Sequence, residues 1–298
     1  MPDKHEFVRE SDGHHRVHFD SVSEFIEYAV SGEGNSPSNQ KHSEDRIGEM
    51  DARNSEGGMT GRFYHGFNRD KMLETVEEPP DKLVMEVSRL KAEIEAEIEA
   101  PVEPRRRYVH NLDCGDELDP HAWLMRDPEG WSEMRRVFVT KSVIRIAVNV
   151  SCHCGRRPAD LLFRGAAAAA LADALDEQGH SVEVTAFGCT SGKSPDVPRR
   201  ERHITSVTVK AADAPMDVAR IAFCLSEIAF YRTVVMNAAT RALPAEHRVS
   251  SGHGNTQPLP ERDRKLADVL LDSDILSRDA AVAALKKYAD MSTQETPG

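Results

Sequence analysis

The run from Val143 to Val150, Val-Ile-Arg-Ile-Ala-Val-Asn-Val, constrains the fold more than any other stretch of this chain. It closes an expected strand over Val137–Val150, and its nearly continuous apolar character is that of a strand covered on both faces. Such a strand needs helices around it. After the polar stretch 151–158, residues Ala159–Gln178 read as an alanine-rich helix closed by Gly179. His180–Gly188 then alternates as a strand and Ile204–Lys210 as another, separated by a loop over Cys189–Arg202. Met216–Leu243 reads as one long helix, with Val218, Ile221, Ala222, Leu225, Ile228 and Ala229 on one face and Pro244 as its stop. The expectation is an α/β domain over 135–243, with a mostly parallel sheet and helices on both faces. Ligands gather at the carboxyl ends of strands in such sheets. The expected binding loops are therefore Asn149–Pro158 and Gly188–Arg202, with Asn149, Ser151, Cys152, His153, Cys154, Thr190 and Ser191 as the candidate contacts.

The rest of the chain reads as extensions. Residues 1–62 are expected to be a mostly disordered arm with one short helix at Val22–Val30, N-capped by Ser21. The stretch 31–62, rich in glycine, serine, asparagine and charge, carries too little apolar pattern to offset the entropy of ordering it. Residues 63–134 are expected to be a helical and irregular extension. In it, Leu83, Val87, Leu90, Ile94 and Ile98 define a helix over Asp81–Ala100 that packs on its own chain, and Trp123 and Trp131 anchor an irregular segment. Residues 244–298 read as a helical tail.

Fifty acidic residues against 38 basic ones give a net charge of −12. That argues against a wide nucleic-acid footprint, which needs clustered positive surface. Arg105, Arg106 and Arg107, and Arg199, Arg200 and Arg202, are the local candidates for such a contact, read here as solvated charge. Five cysteines do not form a secreted disulfide framework, and the first residues lack the apolar stretch of a signal peptide, so a reducing cytoplasm is the expected compartment. No window approaches the ~18 apolar residues of a membrane span.

Chemistry-bearing motifs are incomplete. Cys152-His153-Cys154 offers ligands for zinc, with Cys114, His110 or Cys189 as additional donors, but the second matched pair of structural zinc sites is missing. Gly188-Cys-Thr-Ser-Gly192-Lys193-Ser194 is one residue short of a phosphate loop, and Pro195 and Pro198 block the helix that should follow. No base is specified for a cysteine nucleophile at Cys152 or Cys154. His5, His14, His15 and His18 could form a metal tract, but a mobile terminus explains them more simply.

The apolar strand ending in Asn149-Val-Ser151-Cys152-His153, the helix after it and the next strand together resemble the opening half of von Willebrand factor A-like domains, especially those of cobaltochelatase-type proteins. The likeness covers roughly residues 137–210. The family's strand ends in Asp-x-Ser-x-Ser, whose oxygens hold a divalent cation. Here only Ser151 matches, Asn149 stands for the aspartate and His153 for the second serine, so the metal motif is degenerate and poorly suited to magnesium. The order of helical arm, tryptophan-bearing segment and this domain also resembles uncharacterised bacteriophage proteins. Together these imply a non-enzymatic interaction or assembly protein with a protein partner and no resident cofactor, in a host cytoplasm or virion. The alternatives are a metal-dependent adaptor or hydrolase with a transition metal on Ser151, Cys152, His153 and Cys154, or a nucleic-acid-binding phage protein.

Overall fold

The computed structural model describes residues 5, 7–54, 74–75, 78–95, 106–112, 117–118, 120, 124–125, 131–136, 143–152, 157–177, 180–191, 201–247 and 257–294. Among them the strands are β1 (Val8–Arg9), β2 (His15–Phe19), β3 (Arg106–Leu112), β4 (Glu117–Leu118), β5 (Trp131–Arg136), β6 (Val143–Asn149), β7 (Ser181–Ser191), β8 (Arg202–Lys210) and β9 (Val269–Leu271). The helices are α1 (Val22–Ser31), α2 (Pro37–Asn54), α3 (Asp81–Glu95), α4 (Pro158–Glu177), α5 (Val218–Ser226), a π-helix (Phe230–Val235), α6 (Met236–Ala242), α7 (Glu261–Leu266) and α8 (Arg278–Gln294).

The main sheet runs β1-β2-β8-β7-β6-β9. β6 is parallel to β7 and β9, and β2 is parallel to β8. β7 and β8 are antiparallel, as are β1 and β2. Parallel neighbours need a crossover, and α4 supplies the one between β6 and β7. A second sheet, β3-β5-β4, is antiparallel throughout. The α/β class and the strand-helix-strand order of 143–210 agree with the sequence reading.

The helices do not divide between two faces. Val17, Phe19, Ile146, Val148, Val182, Val184, Ala186, Val207 and Val209 join one apolar cluster with residues of α1, α3, α4, α5, the π-helix, α6 and α8. On the opposite face Arg145 and His18 are exposed, while Glu183, Thr185, Ser206 and Thr208 are half-buried. Only a small cluster of Phe187, Cys189, Ile204 and Leu259 covers part of it. Among the described residues the larger helices cover one face, and on the other only the short α7 approaches, through Asp263 on Arg16 at 2.7 and 2.6 Å, so the expected helices on both faces are very unequal. The continuous run of β6 misled, because Asn149 is buried for hydrogen bonding and Arg145 is not buried at all.

Instead the second layer lies beyond α4. Ala166 to Ala170 and Ala172 are fully buried, because α4 meets the sheet on one side and α3 on the other. Val87 and Leu90 of α3 are buried, and Lys91 pairs with Asp173 of α4. A helix buried all round has no polar face to display, and alanine lets its neighbours approach closely.

Three further expectations change. The arm over 1–62 instead contributes β1, β2, α1 and α2 to the fold. α2 escaped notice because hydrogen bonds hold it as much as apolar burial does: Asn39 donates to the Leu243 carbonyl at 3.2 Å, and Gln40 accepts from Arg241 at 3.0 Å. The tail over 244–298 adds a strand, β9, beside β6. The domain is therefore not confined to 135–243. Finally, the single helix over Met216–Leu243 is broken. Asp217 caps α5, but Glu227 adopts an extended conformation (φ −80°, ψ 117°), and its carboxylate accepts the amide of Ala229 at 3.0 Å. The chain then resumes as the π-helix and α6. Residues 96–100 of the expected α3 lie outside the described residues, as does Trp123.

α4 meets α5 closely at Gly165, where a Cβ would sit 1.8 Å from Ser226 Oγ. Elsewhere in a helix, alanine is preferred over glycine by about 1 kcal/mol. Here Gly165→Ala is expected to lower the unfolding free energy by about 1–3 kcal/mol through overpacking, measured by urea denaturation. Ser226 Oγ has no hydrogen-bond partner among the described residues, so adding Ser226→Ala should return most of that loss.

Candidate metal centre

The loop singled out at the end of β6 is assembled, but as a self-satisfied turn. Asn149 Nδ2 donates to Asp272 Oδ1 at 2.8 Å and to the Gln257 carbonyl at 3.5 Å, while its Oδ1 accepts the Ser151 amide at 3.0 Å. Ser151 Oγ accepts the Cys189 amide at 3.2 Å. From α4 the buried Arg164 guanidinium donates to the carbonyls of Asn149, Val150 and Ser151. Where the von Willebrand resemblance places a cation-binding aspartate, an amide donor instead faces Asp272. Cys152 is buried; His153 and Cys154 lie outside the described residues, as do Cys114, Arg105, Arg199 and Arg200.

The remaining candidates divide. Cys189, named as a further zinc donor, is buried with its thiol directed at the Pro258 carbonyl (3.8 Å), and burial pushes its pKa up to about 12, so it keeps its proton. Thiolate, the form that binds metal, is disfavoured there. Arg106, Arg107 and His110 belong to β3, away from the arginines at 199–202 in sequence. The Arg202 guanidinium donates to the Pro258 carbonyl. Thr190 and Ser191 end β7, opposite His203 and Arg202 of β8.

That last pairing leads to a site the sequence reading did not assemble. Because β8 runs antiparallel to β7, the start of β8 lies beside the carboxyl end of β7. β2 pairs with β8 in parallel, so Arg9, His15, His203 and Thr190 form one row across four strands. Alternation along each strand sends His15 to the face of Val17 and Phe19, and His203 to that of Val207 and Val209, which is the helix-covered face. Adjacent strands are about 4.8 Å apart, and the two imidazoles accordingly stack with centroids 4.9 Å apart at 23°.

His247 completes the group from above. Pro244 follows α6, and a turn closed by the His247 amide on the Pro244 carbonyl (2.9 Å) directs the ring inward. It meets His15 edge-on at 4.9 Å and His203 at 5.1 Å, with His203 Nε2 and His247 Nδ1 2.9 Å apart. One ring nitrogen from each histidine lies within 4.8 Å of the other two. The three residues are 5, 1 and 5 % exposed, and Phe7 packs edge-on against His203. Glu201, two residues before His203, places Oε2 3.3 Å from His15 Nε2 and Oε1 2.6 Å from Arg9.

Burial, with the neighbouring imidazoles adding to it, holds His203 down to about 3 and lowers His247 below its ordinary value. Both are neutral at pH 7, the form that ligates metal. Among the described residues His15 Nδ1 and His203 Nδ1 are buried without a hydrogen-bond partner, and such an orphan costs roughly 1–3 kcal/mol. In the tautomers that leave a lone pair on those nitrogens, a bound cation would remove that cost. Three imidazoles suit zinc, copper, nickel or iron rather than magnesium or calcium, so the donors fit a transition metal.

In the sequence His15 stood in a possible metal tract with His5, His14 and His18, set aside in favour of a mobile terminus. The alternations His15-x-Val17-x-Phe19 and His203-x-Thr205-x-Val207 would have placed two histidines on apolar strand faces, whereas nothing local marks His247.

Metal-free protein is expected to lose stability on acidification. The folded pKa of His203 lies below the ordinary 6.5, so the unfolded chain takes up the proton more readily. Its contribution is complete above about pH 6.5 and falls as pH drops toward 3. Urea unfolding in EDTA should show a loss on the order of 1 kcal/mol from His203 alone between pH 7.5 and 5.5, and His203→Leu should remove that component.

Comparison with curated proteins returned no match, and comparison with solved structures returned none either. A family model described as a domain of unknown function, DUF7192, matches residues 6–289. It takes in all three histidines, and the chain belongs to the DUF7192 family.

Proposed function

We propose that this protein binds a transition metal, zinc in the first instance, through His15, His203 and His247, and that the metal joins three separate segments of a non-enzymatic adaptor or assembly scaffold. The observation that carries this reading is the buried meeting of three imidazoles, two of which have a nitrogen unpartnered among the described residues. A scaffold role fits better than hydrolysis. Hydrolytic zinc keeps a coordination position open to substrate, and these ligands are almost wholly enclosed. The metal-dependent adaptor inferred from Cys152, His153 and Cys154 is thereby kept as a class and moved to a different set of donors.

Untagged protein stripped with chelator and dialysed is expected to take up about one zinc per chain by elemental analysis. A ligand at 100 times its Kd adds about 2.7 kcal/mol, so the melting temperature should rise with zinc and fall again with EDTA. His203→Ala and His15→Ala should abolish both effects, and the pair Cys152→Ser with Cys154→Ser should preserve them. Wild-type protein that binds no zinc, cobalt, nickel or copper would refute the proposal.

A further inference from the structure

Resting on that metal-binding reading, we infer that Glu201 is the positioning residue of the centre: it fixes the His15 ring so that Nδ1 is the nitrogen presented to the metal. A neutral imidazole carries one N–H and one lone pair. His15 Nε2 faces the Glu201 carboxylate at 3.3 Å, and a lone pair there would meet a negatively charged acceptor. Nε2 is therefore the N–H, and Nδ1 carries the lone pair. Nδ1 is buried, and no group among the described residues donates a hydrogen bond to it.

The carboxylate is itself held in place. Glu201 and His203 lie two residues apart and project to the same face of the sheet, which brings Glu201 beside His15 on the neighbouring strand. Its second oxygen accepts from Arg9 at 2.6 Å. Arg9 is the register partner of His15 on β1, so the edge strand, the carboxylate and the ligand ring form a chain leading into the centre. A carboxylate hydrogen-bonded to the far nitrogen of a ligating histidine orients the ring and raises its basicity, and removing such a partner costs 10–100-fold in metal affinity. Arg9 is 64 % exposed at its side chain, so solvent screens its share and its removal should matter less.

The test compares wild-type protein with Glu201→Ala, Glu201→Gln and Arg9→Ala, using zinc affinity by chelator competition and the visible spectrum of the cobalt-loaded form. Glu201→Ala should retain one metal per chain with affinity weakened 10–100-fold and an altered cobalt spectrum. Glu201→Gln, whose side-chain oxygen still accepts the N–H, should restore most of the affinity, and Arg9→Ala should stay within about threefold. A second measurement needs no variant: wild-type protein labelled with 15N-histidine and loaded with 113Cd should show metal coupling to His15 Nδ1. Coupling to Nε2, or Glu201→Ala with wild-type affinity and spectrum, overturns the assignment while leaving the three-histidine centre intact. Wild-type protein that binds no metal overturns both.

Discussion

The pairing of β2 with β8 is the contact on which the architecture depends. It is a parallel pairing between residues 15–19 and 203–207, so it closes a very long loop and brings the chain's beginning into the sheet that the middle of the chain builds. Its register aligns His15 with His203 and Phe19 with Val207 on one face. A slip of one residue would send His15, Val17 and Phe19 to the opposite face, losing both the centre and the seat of α1. Around it, Arg16 donates to both oxygens of Asp263 at 2.7 and 2.6 Å, which joins the same strand to the segment leading into β9. The two extensions of the chain are thus tied to each other across the central strands.

Covering chiefly one face of a sheet changes what its helices must do. Most of the apolar burial is concentrated where α4 and α5 lie on the strands, and α4 is enclosed again by α3. That enclosure explains the alanine run: a larger side chain would have to fit against the sheet or against another helix at almost every position. Away from the patch where Leu259 covers Phe187, Cys189 and Ile204, the opposite face carries Arg145, Glu183, Thr185, Ser206 and Thr208, and hydrogen bonding within the sheet does not require a cover there.

What the sequence disclosed follows the strength of local pattern. β7 and β8 were legible from their alternation, β6 from its nearly continuous apolar run, and α4 from its alanine-rich composition closed by Gly179. β2 was not, because His-Arg-Val-His-Phe presents its apolar face through Val17 and Phe19 alone, with the histidine at its head reading as polar. β9 has three residues and no alternation to detect. α2 is ordered by Asn39, Gln40 and the arginines of its surroundings, whose role emerges only once α6 lies beside it. For the proposed centre, the strand-end reading named Thr190 and Ser191, which lie opposite His203 and Arg202 at the same end of the sheet. It could not supply His247, which reaches the others through the helix break at Pro244 and not through any spacing between residues.

The two sites at this end of the sheet differ in what they ask of a ligand. At the close of β6, Asp272 already receives the Asn149 amide on one oxygen and Arg264 on the other, the latter at 3.1 Å. Its charge is balanced, and a cation would have to displace donors already in place. Around His15 and His203 the situation is reversed. One nitrogen of each of these two rings is buried without a partner among the described residues, and the nearby carboxylate is engaged with His15 Nε2 and Arg9. The first arrangement is complete with protein groups alone and serves to fasten β9 to β6. The second leaves His15 Nδ1 and His203 Nδ1 buried with no hydrogen-bond partner among the described residues, and this asymmetry is why the proposed metal is placed on the histidine row and not on the loop that the strand pattern first drew attention to.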